Sequence, residues 1–215
     1  SSLPWDTLRD FAPVTKLGDA TLILVAHPSV PAKDLKELLK LKEQFSYGTA
    51  GTGSTPHLAG ELLAQRTGLA LTHVPYKGGG QAMGDVVGGQ IPLVFTAVAT
   101  AQQFVKSGRL KGLGVPAARR SGSLPEVPTF IESGLEGFVV DSWTGILAPA
   151  KTPGEILARL QKEIAAVLGE PDTRSRYATL GIEPVGNTPA QFAEQIRADL
   201  ARWEKVVRQA NIRIE

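Results

Sequence analysis

The sequence predicts an α/β fold built on a parallel sheet. Two observations carry this. A pattern of strand, small-residue loop and helix recurs four times over the first half of the chain, and such alternation is the grammar of parallel α/β sheets. Behind it the character changes, and two long amphipathic helices follow with one short strand pattern between them.

Each element has its own signal. Leu22 to Ala26 is a continuous apolar run, as expected of a strand covered on both faces. Pro28 and Pro31 break the chain, and Lys33 to Leu41 carries Leu35, Leu38 and Leu39 at helical spacing. Phe45-Ser46-Tyr47 starts a second strand, and a helix follows from Pro56, a residue well placed in a first helical turn. Ala70–Val74 reads as a strand, Lys77–Gly80 as a loop and Gln81–Val87 as a helix. Ile91–Phe95 is a strand, Ala97–Lys106 a helix and Lys111–Val115 a strand. Beyond the turn-rich Leu124–Pro128, Phe138–Val140 is read as a strand, Ile156–Leu168 as an amphipathic helix, Leu180–Val185 as a short strand and Pro189–Ala210 as a second long helix. One strand between two helices cannot build a balanced sheet, so this tail reads as half of a lobe.

Composition narrows the function. The 215 residues are 42% hydrophobic and 20% charged, as in folded proteins. The 23 basic and 21 acidic residues nearly balance at +2, and the basic stripe of a nucleic-acid protein is missing. Ala117–Arg120 is the densest charge cluster and reads as a solvated loop. Without cysteine there is no disulfide, thiolate metal site or cysteine nucleophile. His27, His57 and His73 are too scattered for a metal site, and no cofactor is expected. No apolar stretch approaches the ~20 residues of a membrane span. No charged, apolar and cleavable leader is visible, which leaves a cytoplasmic chain or a removed leader.

The segment Gly48-Thr49-Ala50-Gly51-Thr52-Gly53-Ser54-Thr55 is the best candidate site. A glycine-rich turn between strand and helix leaves N–H groups accessible, and the helix start favours an anion. The same atoms suit a plain turn capped by Ser54 or Thr55. The segment approaches a nucleotide P-loop but has Ser54 where the lysine belongs, which argues against ATP. Ser54 and His57 share a helical turn, yet neither a strained elbow nor an orienting acid is signalled, so a hydrolase is not supported. His57 instead reads as bonding to the loop or a ligand. Lys77 and Gly78 open a second loop of the same kind; Lys77 is either a carboxylate anchor or a solvated lysine. Thr96 follows a strand and points by topology to the same crevice, and Trp143 either lines a ligand or fills core.

Taken in order, these segments resemble the tripartite tricarboxylate transporter solute-binding proteins, the Bug family. The resemblance rests on the run Tyr47–Glu61 and on His73-Val74-Pro75-Tyr76-Lys77-Gly78. Further support comes from Asp10–Val14, Pro28–Lys33, Leu124–Thr129, Trp143–Pro149 and Glu183–Gly186. It implies a two-lobe periplasmic binding protein fold, type II like, that closes by hinge motion. On this view the second lobe, 29–137, is complete, and the first is partial, represented by 1–28 and 138–215. On this view the family's first glycine-rich anion loop and signal peptide are absent, and Ser1-Ser2 reads as either a cloning or proteolysis scar or a natural feature. The lobes are expected to join near Ala26–Val30 and near Phe138–Trp143. The resemblance also implies an extracytoplasmic, periplasmic receptor, not an enzyme. Its partners are a di- or tricarboxylate or aromatic acid and membrane permease subunits, with no nucleic acid. The ligand contacts are Thr49, Ala50, Gly51, Thr52, Gly53, Ser54, Thr55 and His57, with Lys77, Gly78, Thr96 and Trp143. Many members carry aspartate where this chain has Thr96, which points to plain carboxylic acids. The half-built lobe implies self-association. The alternative is the effector domain of a LysR-type transcription regulator, which shares the two-lobe architecture; the ordered motifs favour transport.

Overall fold

Two sheets organise the chain. In the computed structural model, which describes residues 4–212, they belong to two units. Unit 1 comprises 4–20 and 143–208, and unit 2 comprises 21–142 and 209–212.

Unit 2 is a five-stranded sheet with helices on it. Its strands are β2 (Leu22–Ala26), β3 (Phe45–Thr49), β4 (Leu71–Pro75), β5 (Leu93–Ala97) and β6 (Lys111–Gly114), in the order β4-β3-β5-β2-β6. Its helices are α2 (Leu35–Leu38), α3 (Thr55–Thr67), α4 (Gly79–Val87) and α5 (Val98–Lys106). Every residue of β2 is buried, as its unbroken apolar run requires. One face of the sheet packs Ile23, Val25 and Val94 against Ala82, Met83 and Val86 of α4 and Val98 and Ala101 of α5. Phe95 packs against Phe130, and Phe130 against Phe138.

The sheet is mixed rather than parallel. β3 runs parallel to β4 and β5, but β2 is antiparallel to both β5 and β6. β2 follows β1 (Phe11–Ala20), a strand of the other sheet, with only Thr21 between them. Because β2 is a central strand here, the chain enters unit 2 after Ala20, earlier than the boundary expected after Pro28. It leaves after Ser142, inside the expected Phe138–Trp143 stretch. Phe138–Val140 is irregular chain, not a strand; Phe138 is buried and Val140 N–H bonds to Pro116 O. The expected helix 33–41 is a single turn, capped by the Asp34 carboxylate accepting from Glu37 N–H. Arg120, read as solvated, donates to both oxygens of Glu132 at 2.9 and 3.0 Å.

Unit 1 holds a three-stranded sheet of order β7-β1-β8, with β7 at Ser142–Pro149 and β8 at Ile182–Pro184. Its helices are α1 (Thr7–Asp10), α6 (Gly154–Gly169), α7 (Pro171–Thr179) and α8 (Pro189–Gln209). Helix α6 packs on β1 and α7 on β8. Phe192 of α8 is fully buried against Gly145, where an added Cβ would lie 2.3 Å from its ring.

Candidate functional site

Because β3, β4 and β5 run parallel, their carboxyl ends share one edge of the unit 2 sheet. Helices α3, α4 and α5 start at that edge. In open α/β sheets this is where ligands bind.

The first loop, 50–54, joins β3 to α3. Gly51 and Gly53 have φ of 132° and 78°, which side chains resist. The Ser54 hydroxyl donates to Gly51 O at 2.7 Å and accepts from His57 N–H at 3.4 Å, so it caps α3. At the far end Gly68 closes the helix in the left-handed conformation. Within the loop, Gly51 N–H donates to Thr49 Oγ1 at 3.2 Å and Gly53 N–H to His57 Nδ1 at 3.0 Å. Among the described residues, the N–H groups of Ala50, Thr52 and Thr55 find no acceptor. Ala50 and Thr52 are exposed.

Behind the loop lies a buried polar cluster. The His57 and His73 rings stack with centroids 3.7 Å apart. His73 Nε2 is 2.7 Å from Thr49 Oγ1. The Tyr47 hydroxyl donates to Glu61 at 2.7 Å, and Glu61 lies 3.7 Å from His57 Nε2. Burial lowers the pKa of His57, opposed by Glu61. Burial and then the neighbouring His57 ring lower that of His73, to about 4. Both shifts favour the uncharged ring. Burial and the Glu61 bond push Tyr47 far above the usual phenol range.

The second loop, 76–78, joins β4 to α4. Tyr76 N–H donates to Thr49 O at 3.1 Å, tying the two loops together. Its hydroxyl donates to Asp85 at 2.7 Å; burial and that bond push it up to about 12. Lys77 is exposed and forms no ion pair among the described residues. Gly78 caps α4 without a side-chain bond. Thr96 is buried near the end of β5, its hydroxyl 3.5 Å from where a Gly79 Cβ would stand.

The fold thus gathers Thr49–Thr55, His57, Lys77, Gly78 and Thr96 at one edge of unit 2. His57 and Thr49 point inward and brace the loop. Trp143 belongs to unit 1, where its indole N–H donates to Asp199 at 2.8 Å and its ring meets Phe192 edge-on. Its donor is therefore committed. Sequence reasoning missed the bracing role of His73, Tyr47 and Glu61. Tyr47 and His73 are register partners on adjacent strands, which the sequence alone does not align.

Comparison with known proteins fits this geometry. Residues 1–212 match the family described as "Tripartite tricarboxylate transporter family receptor". A UPF0065 protein from the tcbD-tcbE intergenic region of Pseudomonas sp. strain P51 is 35% identical over 95% of this chain, which spans 62% of that relative. Two solved structures from Rhodopseudomonas palustris are close. Rpa4515 with adipate is 31% identical with a TM-score of 0.85, covering 98% of this chain and 72% of its own. MatC with bound malate is 32% identical with a TM-score of 0.81, covering 96% and 73%. The match runs through both units and includes the loops at the edge of the five-stranded sheet, so the chain belongs to the tripartite tricarboxylate transporter receptors, the Bug family of solute-binding proteins.

Proposed function

We propose that this chain carries the anion-binding lobe of a periplasmic receptor whose solute is a small dicarboxylate. The observation behind this reading is the 50–55 loop, which holds the N–H groups of Ala50, Thr52 and Thr55 unpaired at the start of a 13-residue helix. Charge-assisted bonds from such N–H groups suit a carboxylate, and the helix end adds partial positive charge. Adipate and malate in two related structures support the class. Lys77 adds a nearby cation. Thr96 offers a hydroxyl where a carboxylate would attract an amino group, so the ligand is a plain acid rather than an amino acid. Tricarboxylates and aromatic acids share the same chemistry at the loop.

In this reading unit 2 is the complete lobe, and unit 1 supplies part of the other. The loaded receptor closes by a hinge and delivers its solute to membrane permease subunits. The chain associates with itself through unit 1. Calorimetric titration with adipate, malate and the uncharged 1,6-hexanediol tests the solute class. Saturable binding of at least one diacid and none of the diol is expected. Binding of the diol as tightly as the diacids, or of none of the three, would overturn it.

A further inference from the structure

The His57 ring is an unusual partner for an anion loop. Its Nδ1 faces the Gly53 N–H at 3.0 Å. A backbone N–H can only donate, so this nitrogen carries a lone pair and the ring proton sits on Nε2, towards Glu61 at 3.7 Å. The ring is buried, and the parallel His73 ring, 15° out of plane, fixes its orientation. His73 is anchored in turn through Nε2 at Thr49, the last residue of β3, whose hydroxyl also accepts the Gly51 N–H. The loop's two glycine N–H groups are thereby turned inward onto side chains, while those of Ala50, Thr52 and Thr55 are left over.

We propose that His57 and His73 are the positioning residues of the anion loop: the His57 Nδ1 lone pair holds Gly53 inward, and His73 holds the His57 ring. This rests on the reading of the loop as a carboxylate site. Neither histidine touches the ligand. The titratable groups facing the pair are Glu61 on α3, Tyr47 on β3 and each ring for the other. A proton on His57 Nδ1 displaces Gly53 N–H, so the loop keeps its shape only while that nitrogen is unprotonated.

Two substitutions separate positioning from packing. In His57→Asn the amide oxygen stands where Nδ1 was; in His57→Phe the stacking ring remains but the acceptor is gone. Amide exchange at Gly53, followed by NMR without ligand, should quicken about fivefold or more in His57→Phe and stay near wild type in His57→Asn, the weight of one hydrogen bond. Adipate affinity should fall in parallel. Unchanged Gly53 exchange in His57→Phe overturns the proposal. If that variant does not fold, imidazole nitrogen shifts of the wild-type chain decide: a proton on Nδ1 at neutral pH overturns the proposal, and a proton on Nε2 supports it. If the wild-type chain binds neither adipate nor malate, the carboxylate reading has failed, and the Gly53 exchange rates still judge the positioning role.

Discussion

The His57 and His73 rings stack 3.7 Å apart, 15° from parallel, although they come from a helix and a neighbouring strand. Two neutral imidazoles tolerate this; two imidazolium rings this close repel each other. Both pKa values lie below the ordinary 6.5, that of His73 at about 4. Between those limits the unfolded chain binds more protons than the folded one, so stability falls as pH drops from about 6.5 to about 4 and is level above 7. After discounting for partial exposure, the loss is on the order of 2 kcal/mol. Urea unfolding at pH 7.5 and 4.5 measures it, and His73→Gln should flatten the difference. An unchanged slope in that variant would assign the acid sensitivity elsewhere.

Gly60 lets α3 lie against Tyr47. A Cβ there would stand 2.3 Å from the ring of Tyr47, which is fully buried. Gly60→Ala gains about 1 kcal/mol of helix propensity but forces overpacking that costs typically 1–3 kcal/mol or more. A net destabilisation of about 1–2 kcal/mol is expected by chemical denaturation. A more stable variant would contradict the close approach.

Ser54 is occupied inside the loop on both counts, donating to Gly51 O and capping α3. Ser54→Ala should therefore cost about 1 kcal/mol of stability and leave adipate affinity within about threefold. An affinity loss of about 1.5–3 kcal/mol, the weight of a hydrogen bond to a charged group, would put the hydroxyl on the ligand instead.

Local signals explain what the sequence disclosed. In unit 2 the strands are short apolar runs and the loops are glycine-rich, so the elements and the 50–55 loop were legible. β1 was not: Pro13, Lys16, Gly18 and Asp19 interrupt its pattern. Its Lys16 is buried through an ion pair with Asp19 at 2.7 Å, a tertiary arrangement. Helix α7 buries no residue and so has no apolar face to read. The direction of β2 depends on its pairing with β5 and β6, which no local pattern encodes. Spacing placed His57 one turn from Ser54 but did not reveal that the ring turns inward, because its partner His73 is brought there only by the register of β3 and β4.

Thr96 tests the choice between plain acids and amino acids. It is 5% exposed, at the edge where the three helices start. Thr96→Asp places a carboxylate there, repelling a dianion and attracting an ammonium group. Adipate binding should weaken about tenfold or more, and an amino diacid such as aspartate should gain relative to it. Equal losses for adipate and aspartate would remove Thr96 from the specificity argument.

The last prediction concerns unit 1. All the exposed large apolar side chains of the described residues belong to it: Trp5, Leu8, Ile146, Leu147, Ile156, Leu160, Val167, Leu180, Val185 and Leu200. Ile156 and Leu160 of α6 share one face of the helix with Glu155, Arg159 and Glu163. Ile156 and Leu160 lie one turn apart on α6 and are 46% and 41% exposed, and burying what remains exposed yields about 1 kcal/mol each, so such a face favours a partner. In a solution of this chain alone, the available partner is a second copy. Glu155, Glu163 and Arg159 at the rim can pair across a two-fold axis, where each patch meets its own image. Sedimentation velocity over a range of loading concentrations should show the mean coefficient rising with concentration. Replacing Ile156 and Leu160 together by glutamate should return a monomer while leaving diacid binding in unit 2 intact. A concentration-independent monomer in the unaltered chain would show that these side chains are tolerated in water. Association that survives the double substitution would place the contact away from α6.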